Sequence, residues 1–177
     1  MALKPTIFKF TINLSDLNKD LYTTLNLTVA QHPSEKTERM MTRILCYCLN
    51  AQEGLSFTKG LSAIDEPDIW SKSLDDQLEL WIDTGEPAFD RIKKASRLTK
   101  NVFVYSFNSK SDVWWSQEKD KFAKLPVSVF QFPWDEIQKL ATLVTRTMDL
   151  SVTISGNTLY IAVQQEALEV NWTVLQE

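Results

Sequence analysis

A single histidine, His32, is present in the 177 residues. A catalytic triad or a zinc site would have to use it, and its place in a loop before Pro33 suits a structural role better. Cysteine is almost as scarce. Cys46 and Cys48 lie one residue apart in a segment of helical periodicity. At that spacing their side chains diverge by about 200°, so they share neither a disulfide nor a metal. Both are expected as buried thiols of a reducing compartment, the cytoplasm. Four glycines, at 54, 60, 85 and 156, form neither a phosphate loop nor a dinucleotide fingerprint. No nucleotide or flavin cofactor is expected. No apolar run is long enough to span a bilayer. The opening residues alternate rather than forming a signal-type block, so neither a membrane nor secretion is expected. A net charge of −4 argues against tight non-specific nucleic-acid binding over the whole surface, although a local basic patch is compatible with it.

What is present reads as one α+β domain over residues 1–177, long enough to bury a core without staples. Residues 6–14 and 21–29 alternate apolar and polar around a turn-rich link, the pattern of a β-hairpin. Ser34, with Glu35 and Glu38 following, marks a helix start. The apolar stripe Met40, Met41, Ile44, Leu45, Cys48 and Leu49 carries that helix to about residue 51. A short strand at "LSFTKG", a strand near Asp68–Trp70 and a strong strand at "LELWIDTG" come next. A helix over roughly 88–99 and a buried strand at "NVFVYSF" follow. Then come a short helix at "SDVWWSQEK", a strand at "VSVFQF" and a helix opened by Pro133. The tail from Asp149 to Leu175 holds three strands, with a turn at Ser155-Gly156-Asn157.

The chemistry is concentrated between Asp65 and Ala95. Glu79, Trp81 and Asp83 share one face of their strand, and Leu78, Leu80 and Ile82 are expected to pack on the core from the other. Two carboxylates on a half-covered strand raise each other's pKa unless a cation sits between them. A divalent metal would serve, because carboxylate oxygens suit Mg²⁺, and so would Arg91 or Lys94. On the helix after Gly85, Arg91 lies at the border of the inner side and Lys94 near it, with Lys93 pointing outward. Glu38 flanks the first helix's apolar stripe without a basic partner at i+3 or i+4. Glu35 has Arg39 four residues on and is expected as a surface pair. The alternatives are ordinary: a first-turn acid, an ion-paired strand face and a solvated helix face. Trp114 and Trp115 diverge by about 100° on their helix, so they cannot form one stacking platform.

The segments "MALKPTIFKF", "HPSEKTERMMTRIL", "GL…DEP…W", "LWIDTGEP…RIKKA" and "RTMDLSVTI" together resemble the YaeQ family of bacterial proteins, over essentially the whole chain. The resemblance implies a restriction-endonuclease-like core of the PD-(D/E)xK type: helix, three strands, helix, strand, flanked by N- and C-terminal strands. That order agrees with the one read above. The superfamily's pattern puts its helix acid at Glu38. The Pro-Asp step falls on Pro67-Asp68, with Asp65 and Glu66 as competitors. The strand acid falls on Glu79, where Trp81 stands in place of the expected lysine. Asp83-Thr84-Gly85 is a second register, also without lysine, and Lys94 or Lys93 on the next helix could supply the cation.

Two functional expectations follow. In the first, Asp68, Glu79 and Asp83 hold Mg²⁺ or Mn²⁺, Glu38 completes the shell, and Arg91 and Lys94 hold phosphate in a nuclease-like phosphodiester hydrolase or its degenerate descendant. In the second, a non-catalytic adaptor reuses the fold to bind a protein or nucleic acid in gene expression. The acid cluster favours the first. The missing strand lysine and the net negative charge favour the second.

Overall fold

A computed structural model describes residues 4–177, apart from the side chain of Ser62. Residues 1–3 of the opening motif lie outside it. The hairpin forms β1 (Thr6–Asp16) and β2 (Leu21–Gln31), antiparallel in unbroken register. Helix α1 (Thr37–Leu49) follows. Then come β3 (Leu55–Phe57), a 3₁₀ turn at Gly60–Ser62, β4 (Ile69–Lys72) and β5 (Leu78–Thr84). After these the chain forms α2 (Phe89–Leu98), β6 (Val102–Ser106), α3 (Ser111–Phe122), β7 (Ser128–Gln131) and α4 (Trp134–Ala141). The tail gives β8 (Thr147–Ser155), β9 (Thr158–Val163), β10 (Glu166–Asn171) and β11 (Thr173–Gln176).

The strands divide into two sheets. The first has the order β10-β9-β8-β1-β2 and the second β11-β7-β6-β5-β4-β3. One apolar core joins them. It takes Phe10 and Ile12 from β1, Met40 and Ile44 from α1, Leu80 and Ile82 from β5, and Leu140 from α4. Burying each such side chain stabilises the fold by about 1.5–3 kcal/mol. In the second sheet β5, β6 and β7 run parallel, and α2 and α3 are the crossovers between them. Those helices cover the sheet's other face through a second cluster of Trp81, Ile92, Ala95, Val104, Phe122 and Val129. The face of β5 that carries Trp81 and Asp83 is therefore buried, not half-covered. Parallel strands need helices on both faces, which single-strand alternation cannot reveal.

Three boundaries differ from expectation. Helix α1 begins at Thr37, with Lys36 at the cap position and no side-chain cap, and Ser34 lies before it, engaged elsewhere. Its Oγ and its N–H both meet His32 Nδ1, at 2.7 and 3.1 Å, in a turn closed by Glu35 N–H to the His32 carbonyl. Pro133 stands just before α4 rather than inside it. The tail holds four strands. The last, β11, leaves the first sheet and pairs antiparallel with β7 at the edge of the second. Gln176 secures it there, its Nε2 donating to the carbonyls of Phe122 at 2.8 Å and Val127 at 3.0 Å. Cys46 and Cys48 are buried free thiols, as expected, and burial pushes the Cys48 thiol up to about 12. Trp114 and Trp115 are both half-buried and pack edge-on against Phe122.

Candidate functional site

The pairing of β4 with β5 sets the centre of the site. Ile69 pairs with Ile82, and the Asp68 N–H donates to the Ile82 carbonyl at 3.0 Å. Asp68 and Asp83 therefore stand side by side at the carboxyl end of β5. Both are buried, at 4% and 3% exposure, in a chain interior that normally excludes unpaired carboxylates. Each is satisfied. Asp68 Oδ2 accepts from the Thr84 N–H and Oγ1, both at 2.8 Å, and its Oδ1 accepts from Arg39 Nη2 at 2.6 Å. Asp83 is held bidentate by Arg91, at 2.8 and 3.1 Å. Burial nonetheless raises the Asp83 pKa above its ordinary 3.8, with Arg91 pulling against that rise. The buried Trp81 indole N–H lies near Asp83 without reaching hydrogen-bond geometry.

The network extends along α1. Glu35 Oε2 accepts from Arg39 Nη1 at 2.6 Å and Arg43 Nε at 2.9 Å, and its Oε1 from Arg43 Nη2 at 2.5 Å. Glu35 and Arg43 are buried, so the expected surface pair is an interior one with a second arginine. Arg39 and Arg43 stand one turn apart on the same side of α1, and Glu35, two residues before the helix, lies against both. On the far side, Glu86 follows β5 and accepts from Asn108 at 2.5 Å and from Ser111 Oγ at 2.7 Å. Arg91 also reaches the loop before β4, donating to the carbonyls of Ile64 at 2.5 Å and Glu66 at 2.7 Å. It thereby fastens that loop to β5 and α2. These groups line a cleft of about 370 Å³ that includes Arg39, Asp68, Asp83, Glu86, Arg91 and Asn108. It lies outside the carboxyl ends of β5 and β6, where ligands of parallel sheets bind.

Of the residues singled out from sequence, the structure brings together Asp68, Asp83 and Arg91. It corrects the placement of three others. Glu79 lies four residues before Asp83, about 13 Å back along the strand at ~3.3 Å per residue. It is exposed and lines a different, larger cleft of about 690 Å³ at the amino ends of β5 and β6, whose charged lining residues are all exposed. The second register, Asp83-Thr84-Gly85, is thus the one that meets Asp68. Glu38 stays outside the Asp68 cleft; α1 turns its neighbour Arg39 inward instead. Lys94 is exposed and lines an adjoining hollow with Asp65, Asp90 and Arg91, and Lys93 is exposed near the Phe89 ring. Sequence reasoning left Glu35 and Arg39 on the surface and missed Arg43, Glu86, Asn108 and the part played by Thr84. A signal existed for the first three, charges repeating every four residues beside an apolar stripe. Asn108 becomes visible only once β5 and β6 are paired.

A metal does not fit this donor set as it is arranged. Both carboxylate oxygens of Asp68 and both of Asp83 accept hydrogen bonds, three of the four from arginine. Among the described residues no three Asp, Glu, His or Cys side chains gather as a metal's ligands do. The arrangement can hold charges in fixed places and present guanidinium and carboxylate edges to a ligand.

The family model for the YaeQ protein matches residues 1–172. The YaeQ protein of Escherichia coli strain K12 is 39% identical over 181 residues, covering all of this chain and 99% of its own length, and that of Salmonella typhi is 37% identical. Both are named as uncharacterized. The crystal structure of YaeQ from Pseudomonas syringae aligns with a TM-score of 0.93 at 35% identity, over 98% of this chain and 97% of that one. YaeQ from Xanthomonas axonopodis pv. citri gives 0.93 at 29% identity, over 97% and 98%. No described helix is long and apolar enough to cross a membrane. The chain belongs to the YaeQ family.

Proposed function

We propose that this protein is a non-catalytic binding module built on a restriction-endonuclease-like core, with the acids of a former metal site held by arginine. The order α1, antiparallel β3-β4-β5, α2 and parallel β6 supports the core assignment. One observation carries the functional reading: Arg39 and Arg91 occupy the two buried carboxylates, Asp68 and Asp83, that a nuclease would keep for Mg²⁺. Gly85 stands where the strand lysine would be, and the two guanidinium groups nearby, Arg39 and Arg91, are taken up by Asp68 and Asp83 rather than left for charge developing on a phosphate. The buried, unpaired cysteines support a reducing compartment such as the cytoplasm.

The test is incubation of purified protein with Mg²⁺ and with Mn²⁺ against single- and double-stranded DNA and RNA. We expect no metal-dependent cleavage. Cleavage that stops on chelation and is lost in Asp83→Asn would reinstate the hydrolase reading. A specific observation favours that reading: Asp68, directly after Pro67, stands beside Asp83 in a cleft at the carboxyl ends of β5 and β6. It requires Arg91 to leave Asp83.

A further inference from the structure

Charge is unevenly distributed along this acidic chain. From Phe89 to Lys124 it carries nine Lys and Arg against four Asp and Glu, a formal +5 within a total of −4. The remainder is therefore at −9. The basic segment is the outer helical layer of the second sheet. Because α2 and α3 both cross between parallel strands, they run in the same direction and end at the same edge, beside the starts of β6 and β7. Arg97 and Lys100 stand at the end of α2, and Lys119 and Lys124 at the end of α3. All four are exposed. None has an ion-pair or hydrogen-bond partner for its side chain among the described residues. Lys121 between them is paired, with Glu118 at 3.4 Å.

We propose that this edge is a docking surface for the phosphodiester backbone of a nucleic acid. The proposal rests on the binding reading above and names the class of partner. Helix dipoles account for cations in a last turn, such as Arg97 and Lys119. They do not account for Lys100 and Lys124, each two residues beyond its helix. Among the described residues the exposed acids on or near the edge are Asp120, Glu79 and Glu177, which follows Gln176 at the start of β7; they are fewer than the four unpaired cations. Protein interfaces centre on apolar and aromatic anchors, and among the described residues the exposed large apolar side chains near this edge are Leu98 and, beyond Glu79, Leu74, neither of them aromatic. A repeating anion needs no such anchor. It is held by cations spaced along its path, with affinity from counterion release. The gathering of unpaired cations at one edge also explains how a chain of net −4 could bind a polyanion.

Fluorescence anisotropy of the full chain with labelled single-stranded RNA, single-stranded DNA and duplex DNA tests this. Binding should weaken steeply from about 50 to 200 mM salt, with a log–log slope near −3 for four contacts. R97Q/K100Q/K119Q/K124Q should lose affinity at least about tenfold and flatten that slope, with its melting curve unchanged. Should the fourfold variant fail to fold, R97Q/K100Q and K119Q/K124Q measured separately should each weaken binding. Absence of salt-dependent binding by wild type, or equal binding by the variants, overturns the proposal. Displacement of the probe by polyglutamate as effective as by unlabelled nucleic acid assigns the edge to an acidic protein and also overturns it. The recovered probe, run on a denaturing gel with Mg²⁺ present, separates the two readings. A probe bound through the edge and then cut supports the edge while ending the non-catalytic reading. An uncut probe whose binding ignores the substitutions ends the edge alone.

Discussion

Arg91 donates to both carboxylate oxygens of Asp83, at 2.8 and 3.1 Å, and with its remaining N–H groups to two backbone carbonyls of the loop before β4. One side chain thus satisfies a buried acid and pins a surface segment. Arg91→Gln should release that segment. We expect amides over residues 58–67 to exchange with solvent about tenfold faster, the equivalent of one net hydrogen bond of about 1.4 kcal/mol. Hydrogen exchange by mass spectrometry checks this, and unchanged protection there would contradict the pinning role.

Asp83 should titrate above its ordinary 3.8, because burial disfavours its charge more than Arg91 favours it. Its folded pKa exceeds its unfolded one. Its contribution to stability is therefore present below the unfolded value and lost as pH rises through the folded value. Carboxyl NMR titration measures this directly. Arg91→Gln should move the pKa further up, since it removes the interactions that lower it.

Glu35→Gln should be strongly destabilising. It leaves Arg43, buried at 5% exposure, without its anionic partner. Breaking a buried pair from one side costs about 3–5 kcal/mol. Urea denaturation should show this as a lower midpoint with an unchanged slope.

Glu79→Gln should leave the protein nearly unaltered, within about 0.5 kcal/mol, because its side chain is exposed and far from Asp68. A melting curve shifted by many degrees would mean that Glu79 belongs to the charged network after all.

Most elements were legible because their apolar residues recur with periods of two or 3.6. The hairpin β1–β2, the stripe of α1 and the buried faces of β5 and β6 all show this. The faces of β5 were read correctly from Leu80 to Asp83, whereas Leu78, past a register shift in the β4–β5 pairing, packs with the Trp81 cluster and not on the core face with Leu80. That the second face is also covered depends on α2 and α3 crossing between parallel strands, a tertiary fact. The candidate site was half legible. Asp68 and Asp83 stood out by their place after Pro67 and before Gly85, yet which acid of β5 meets Asp68 depends on the pairing of Ile69 with Ile82. Glu35 and Arg39 were paired correctly but assigned to the surface, because local spacing shows that two charges meet and not how deep they lie. The transfer of β11 to the second sheet has no signature in its four residues.

The most direct test of the central claim is a crystal of this protein soaked with Mn²⁺ and measured for anomalous scattering. The account predicts no ion between Asp68 and Asp83, with Arg91 still bidentate on Asp83 and Arg39 on Asp68. An Mn²⁺ ion bound to both carboxylates, with Arg91 swung away, would contradict it.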